Sequence, residues 1–160
     1  ALNPKRLFDL NGVANLAQTE APVTIKKTIT MTIKLSQAST QGVVIAQGGT
    51  NHGWSLYLQD GSLKFATRIN GKLTVVSSDL QWDPEITSIV VKYRKNGSVR
   101  VMSGSDVLLQ GMTGGSMIEM PIDGLQVGQD QGGAVGNYEQ PYPLDGKVHR
   151  VQLAIEDNNS

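Results

Sequence analysis

The segment Thr28-Ile29-Thr30-Met31-Thr32-Ile33-Lys34-Leu35 alternates polar and apolar side chains along its whole length. Successive side chains of a β-strand point to opposite faces, so residues two positions apart share a face. One face of this segment is therefore entirely apolar, and the other carries threonine and lysine. The pattern predicts a strand that packs one face on a hydrophobic core.

Turn signals of one kind divide the middle of the chain: Asp60-Gly61, Asn70-Gly71 and Asn96-Gly97. Such Asx-Gly pairs between alternating segments are a strong short-range signal for a β-hairpin. Further strands are predicted at residues 43–46, 54–59, 63–65, 65–69, 73–76, 87–93, 98–102, 107–109, 116–120, 125–127 and 148–155. So many short strands predict an all-β fold in which two antiparallel sheets pack face to face.

A chain of 160 residues has the length of one domain, which we expect to span 1–160. Residues 1–20 are expected to form an irregular segment, in which 10–17 has helical spacing but is as compatible with a loop. Residues 156–160 are expected to form a polar tail.

Charge and cysteine content exclude several classes of function. Basic and acidic residues balance at 14 each, which disfavours a nucleic-acid partner. The sequence has no cysteine, so it has no disulfide, thiolate metal site or cysteine nucleophile. No apolar run is long enough to span a bilayer.

Recognisable catalytic motifs are missing. No glutamate begins the Glu-x-Asp-x-Glu or Glu-x-Asp-x-x-Glu pattern that places two carboxylates in one cleft for retaining glycoside hydrolysis. His52 and His149 are the only histidines, and no Gly-x-Ser-x-Gly elbow accompanies them. The two histidines also lack the short spacing of a zinc site. We therefore expect no catalytic residues in this chain.

Oxygen ligands for calcium are available in the second half of the chain. Asp130, Asn137 and Asp145, together with Asp123 and nearby glycine carbonyls, are the candidate donors. Aspartate and asparagine also stabilise turns without any metal. The sequence thus allows a calcium site, and requires none.

Aromatic and polar side chains suggest a surface that binds sugars. Tyr57 lies on the strand face opposite to Trp54, so Tyr57 is expected to face solvent or a groove and Trp54 the core. Trp82 is expected to cover the edge of the core. Residues 132–143 form the longest irregular stretch, and such loops often carry function. The candidate carbohydrate-binding residues are Asn51, His52, Tyr57, Tyr138 and Tyr142.

Several segments, taken in order, resemble a known family. Residues 43–49, 53–61, 125–130 and 142–148 are similar to the C-terminal β-sandwich of bacterial arylsulfatases. That resemblance implies a laminin-G-like or concanavalin-A-like jelly roll. It also implies an exported protein and a neighbouring catalytic domain. The sulfatase motif Cys/Ser-x-Pro-x-Arg is absent, so the resemblance implies an accessory domain and no active site.

The function expected from the sequence is a non-catalytic module that binds a polysaccharide or a sulfated glycan. A structural domain that packs on a partner through residues 132–143 is the first alternative. An independent hydrolase is the second.

Overall fold

The computed structural model describes residues 5–12 and 14–156. All regular structure in this part of the chain is β-strand. The strands are β1 (Leu7–Asn11), β2 (Asn15–Leu16), β3 (Thr28–Leu35), β4 (Gly42–Gly48), β5 (Gly53–Gln59), β6 (Ser62–Ile69), β7 (Lys72–Ser77), β8 (Ser88–Tyr93), β9 (Ser98–Ser103), β10 (Asp106–Met112), β11 (Leu125–Val127) and β12 (Val148–Glu156).

The strands form two six-stranded antiparallel sheets. The first sheet has the order β1-β12-β3-β8-β9-β10, and the second has the order β2-β11-β4-β5-β6-β7. The predicted all-β, two-sheet sandwich is confirmed. No helix that is long and apolar enough to cross a bilayer occurs in residues 5–12 and 14–156.

The core lies between the sheets and includes the apolar face that β3 was predicted to present. Ile29, Met31 and Ile33 are fully buried there. On the facing sheet, Trp54 stacks on Phe65 with ring centroids 6.1 Å apart, which confirms the core position predicted for Trp54. Buried apolar surface of this extent is the main source of stability in a sandwich.

Two of the Asx-Gly turns have the backbone that their sequence predicts. Asp60 and Gly61 both have positive φ, at 53° and 76°, and Asn70 and Gly71 repeat this at 51° and 79°. Positive φ at both central positions matches the twist of the strands that a two-residue hairpin joins. These turns set the register of β5, β6 and β7.

The structure corrects two sequence predictions. Residues 116–120 form no strand; Met117 makes a single isolated bridge to Ile25, because only one buried side chain anchors this stretch. The segment 1–20 is not irregular throughout, since Leu7–Asn11 pairs with β12 and Asn15–Leu16 pairs with β11. These strands also rule out a helix over 10–17, a stretch that includes Val13, which lies outside the described residues.

Candidate functional site

The predicted carbohydrate-binding residues separate into two groups in the structure. Tyr57, Tyr138 and Tyr142 form one cluster on the outer face of the second sheet. Asn51 and His52 lie in the turn between β4 and β5 and line a separate cleft.

The tyrosine cluster is covered by the protein's own chain. Tyr57 points away from the core, as predicted, but its exposure is 0% because residues 132–143, called here the covering loop, lie over it. The rings of Tyr57 and Tyr138 meet edge to face at 4.8 Å, and Tyr138 stacks on Tyr142 at 5.2 Å. Tyr57 therefore faces neither solvent nor an open groove.

Hydrogen bonds hold the covering loop along β5 and β6. Arg68 donates from Nε to the Val135 carbonyl at 2.8 Å. Gln59 donates from Nε2 to the Asn137 carbonyl at 2.7 Å. Tyr142 donates its hydroxyl to a β5 carbonyl, that of Leu58, at 2.9 Å. Contacts along this length seat the loop on the sheet and leave Tyr138 and Tyr142 half-buried.

A buried carboxylate anchors the start of the loop. Asp130 is 1% exposed and accepts hydrogen bonds from the Val135 amide at 2.9 Å and from the Tyr138 hydroxyl. The Tyr138 and Ser55 hydroxyls are also hydrogen-bonded, at 2.9 Å. Burial raises the pKa of Asp130 to about 6, an effect that the two hydrogen bonds only partly offset. Burial and the neighbouring Asp130 also raise the pKa of Tyr138.

The hydroxyl of Tyr57 has no hydrogen-bond partner although it is buried. Burial raises the pKa of Tyr57, and the nearby backbone amide of Asn137 counteracts this only in part. A buried hydroxyl without a partner costs free energy. The unpartnered Tyr57 hydroxyl therefore lowers the stability of the arrangement in which the loop covers it.

The candidate calcium ligands serve different internal roles. Asp130 anchors the loop as described, and Asn137 is exposed on it. Asp145 accepts hydrogen bonds from the Thr40 amide at 2.8 Å, the Gln41 amide at 3.2 Å and the Thr40 hydroxyl. In the described part of the chain, no three His, Cys, Asp or Glu side chains are grouped to hold a metal ion.

A cleft at the end of the second sheet brings together polar groups from distant parts of the sequence. Its volume is about 180 Å³, and it is lined by Gly49, Thr50, Asn51, His52, Glu119, Met120, Ile122 and Asp123. His52 is 7% exposed, and its Nε2 lies 3.4 Å from Glu119 Oε2. Its Nδ1 is buried with no hydrogen-bond partner. The cleft thus combines exposed carboxylates, an amide and an imidazole that is only partly satisfied.

Glycine shapes one wall of this cleft. A Cβ atom placed on Gly49 would lie 2.2 Å from Asp123 Oδ2, and Gly132 and Gly133 also border the same carboxylate. The absence of side chains at these positions allows the backbone to approach Asp123 closely. The Asp123 carboxylate therefore lies beside the first two residues of the covering loop, at the edge of the cleft.

The sequence predicts Asn51 and His52 as candidate binding residues, and it does not predict Glu119, which lines the same cleft. Glu119 falls in the segment 116–120, which the sequence predicts as a strand and the structure does not form, and the sequence predicts Asp123 only as a calcium ligand. No local motif links these residues to the β4–β5 turn. Only the folded chain brings them together.

A second cleft, of about 440 Å³, opens at another edge of the sandwich where the loop before β8 meets the turn between β9 and β10. Its lining includes Trp82, which is largely buried as predicted and donates from Nε1 to the Ser39 carbonyl at 2.8 Å. Leu80 and Val107 at its rim are exposed. We call it the Trp82 cleft.

Comparisons with known proteins bear on the fold. No protein-family model and no curated protein sequence matches the chain. Among solved structures, the CBM40 module of the Ruminococcus gnavus IT-sialidase, bound to alpha2,6 sialyllactose, has a TM-score of 0.57 at 11% identity over 98% of this chain and 92% of that one. Mouse laminin alpha1 domains LG4-5 give 0.66 at 13% identity, over 92% of this chain and 41% of theirs.

A leech intramolecular trans-sialidase is also similar, with a TM-score of 0.55 at 12% identity over 99% of this chain and 27% of that one. At such low identities the likeness establishes the fold alone. None of these findings links the chain to arylsulfatases. The chain has the jelly-roll sandwich fold that laminin G domains and CBM40 modules share.

Proposed function

We propose that this chain is a non-catalytic accessory domain that binds carbohydrate. The observation that carries the proposal is the small cleft in which Asn51, Glu119 and Asp123 surround the partly satisfied His52. Convergent polar groups in a concave site are the usual mark of a ligand site. A similar fold that was solved with sialyllactose supports a sugar as the ligand.

The exposure of the cleft residues supports a role in sugar binding for several of them. Asn51 is exposed and has both donor and acceptor atoms for sugar hydroxyls. Glu119 and Asp123 supply acceptors, and Ile122, which is 77% exposed, supplies an apolar rim. Tyr138 and Tyr142 do not line this cleft, and their rings are half-buried in the separate tyrosine cluster. Tyr57 has no accessible surface for a sugar.

A calorimetric titration against a panel of neutral and acidic oligosaccharides tests this function. The variant Asn51→Ala is expected to weaken binding at least about tenfold, as expected for loss of a directly bonded group in a small site. Asn137→Ala is the matched control, because Asn137 is also an exposed asparagine but lies outside the cleft. Flat titrations for every sugar at millimolar concentration would contradict the proposal.

We also propose that the domain belongs to an exported protein with a neighbouring catalytic domain. This part rests on the sequence resemblance to sulfatase C-terminal regions and on the sialidases found among proteins of similar fold. Sequencing the gene on both sides of the region that encodes these residues tests it. An open reading frame without any further domain would contradict it.

A structural role is the second candidate, and the Trp82 cleft favours it. Exposed Leu80 and Val107 beside this cleft form an apolar surface of the kind that packs on another domain. The covering loop is a poorer interface than the sequence suggested, because its aromatic residues pack on its own sheet. Leu80→Ser in the full-length protein should then lower its melting temperature, whereas an unchanged temperature would count against this role.

A further inference from the structure

We infer that the cleft selects uncharged sugars and discriminates against sugars that carry a carboxylate or a sulfate. The inference rests on the proposed function and adds the class of ligand. It departs from the most direct expectation, which is that the chain binds sialyllactose as the CBM40 module of similar fold does. The reason lies in the charges that line the cleft.

Apart from His52, the ionisable side chains that line the cleft are acidic. Glu119 and Asp123 are both exposed carboxylates, and no lysine or arginine is among the lining residues. An anionic group in the cleft would lie within a few ångströms of both carboxylates. At such distances like charges repel appreciably even in a watery environment.

His52 does not reverse this charge. It is the one basic side chain in the lining, and its Nε2 already faces Glu119 Oε2 at 3.4 Å. The His52 ring is therefore engaged by Glu119 and offers no separate cationic group to an anionic sugar. Its Nδ1 is buried and has no hydrogen-bond partner, so the wall of the cleft contains an incompletely bonded polar group.

Arg68 lies near the cleft but is directed elsewhere. Its Nε donates to the Val135 carbonyl at 2.8 Å, and its Nη1 donates to the Gly71 carbonyl at 3.1 Å. Gly71 in turn donates its amide to the Asn51 carbonyl at 2.8 Å. Arg68 thus supports the backbone behind the Asn51 turn and is not among the residues that line the cleft.

Size and polarity also suit a single neutral ring. A volume of about 180 Å³ is below the range of clefts that hold drug-sized ligands. Carboxylate oxygens accept hydrogen bonds from sugar hydroxyls, and these charge-assisted bonds are stronger than bonds between neutral groups. Met120 and Ile122 offer apolar surface to the C–H face of the ring.

The test compares lactose with 6′-sialyllactose by calorimetry, because the two ligands differ only by the acidic sugar. Galactose and galactose 6-sulfate form a second pair. Lactose and galactose are each expected to bind at least about tenfold more tightly than their acidic counterparts. At about 1 M NaCl, where the screening length is near 3 Å, the ratio should shrink.

Two variants test whether the carboxylates of the cleft cause the preference for neutral sugars. The double variant Glu119→Gln, Asp123→Asn keeps the shape of the cleft and removes both charges, so the affinity ratio should fall to within about threefold. Asp79→Asn makes a similar change to an exposed aspartate beside the Trp82 cleft, and it should leave the ratio unchanged. Melting temperatures of all variants verify that they are folded.

Acidic sugars that bind as tightly as neutral ones, or an unchanged ratio in the double variant, would overturn the inference while the proposed function stands. Absence of binding to any sugar would overturn both. A neutral preference that is equally lost in Asp79→Asn would show that the charge of the whole molecule, and not the cleft, discriminates, and would also overturn the inference.

Discussion

At the scale of single residues, Asp130 is a buried carboxyl group whose environment alters its ionisation. It is buried beneath the covering loop, and its hydrogen bonds come from an amide and from a phenol, neither of which carries a positive charge. Burial therefore outweighs the hydrogen bonds and raises its pKa to about 6, against an ordinary value of 3.8.

This shift predicts how stability depends on pH. A carboxyl group whose pKa is raised by folding stabilises the protein below about pH 4, and that contribution is lost as the pH rises through 6. Its size is at most roughly 3 kcal/mol. Asp130→Asn should remove this part of the slope, which urea unfolding between pH 4 and 7 can measure. Parallel slopes for the two proteins would contradict the prediction.

Tyr57 and Tyr93 form a natural pair for testing buried hydroxyls. Tyr57→Phe removes a hydroxyl with no partner and is expected to leave the free energy of unfolding unchanged or to raise it by up to about 1 kcal/mol. Tyr93→Phe removes a bond to the Gly115 carbonyl and is expected to lower it by about 1 kcal/mol. Denaturant titrations give both values. Equal destabilisation would mean that Tyr57 has a partner.

Individual residues also show how far the sequence predicts the site. Alternation along β5 correctly placed Trp54 in the core and Tyr57 on the opposite face. It gave no sign that Tyr57 would be covered, because the covering residues are distant in the sequence. The sequence predicts Asn51 and His52 as binding residues from a glycine-rich turn, and in the structure both line the small cleft. Glu119 was missed, since only tertiary contacts bring it to His52.

At the scale of elements, the covering loop behaves as part of the second sheet. Val135 contributes to the same small apolar cluster as the outward side chains of β4, β5 and β6. Gly136 lies against two tyrosine rings, where a Cβ atom would be 2.5 Å from Tyr138 Cε2 and 2.8 Å from Tyr57 Cε1. The loop therefore fits the sheet only with glycine at this position.

Gly136→Ala tests that fit. The added methyl group must displace one ring or the loop, which is expected to lower the free energy of unfolding by about 1–3 kcal/mol. Glu139→Ala changes an exposed residue of the same loop and should have little effect. Thermal unfolding of both variants is the measurement. A fully stable Gly136→Ala protein would show that the loop is loosely seated.

Sequence periodicity predicts the strands wrongly at two segments. The apolar residues of 116–120 resemble a strand, yet only Met117 is fully buried and it forms one bridge. Conversely, Leu7–Asn11 has a weak pattern and becomes a strand because β12 offers it an open edge. Pairing partners, which sequence periodicity does not reveal, decided both cases.

At the scale of the whole molecule, side-chain hydrogen bonds tie the connecting segments to the sheets and to one another. Gln47 accepts a bond from Trp54 Nε1 at 2.9 Å and donates to the Pro22 carbonyl at 2.8 Å. Asp145 ties the segment before β12 to the segment before β4 through Thr40 and Gln41. The carboxylate of Asp145, a predicted calcium ligand, thus already accepts hydrogen bonds from internal donors.

The stability of the molecule is therefore expected to be independent of calcium. Asp130 and Asp145 are already satisfied by internal donors, so a cation would have to displace existing hydrogen bonds. The melting temperature should be the same in millimolar calcium and in a chelator. A saturable rise with calcium, lost in Asp145→Asn, would show that a metal site exists.

Both tryptophans are buried, and they lie in different environments. Trp54 is sealed between the sheets, whereas Trp82 lines the cleft at the sandwich edge, and neither lines the cleft of Asn51 and His52. Intrinsic fluorescence is then a reporter that distinguishes the two clefts. A sugar that binds beside His52 should leave the emission spectrum unaltered, while an occupant of the Trp82 cleft should shift or quench it. One optical titration would thus assign an unknown ligand to one cleft or the other before any mutant is made.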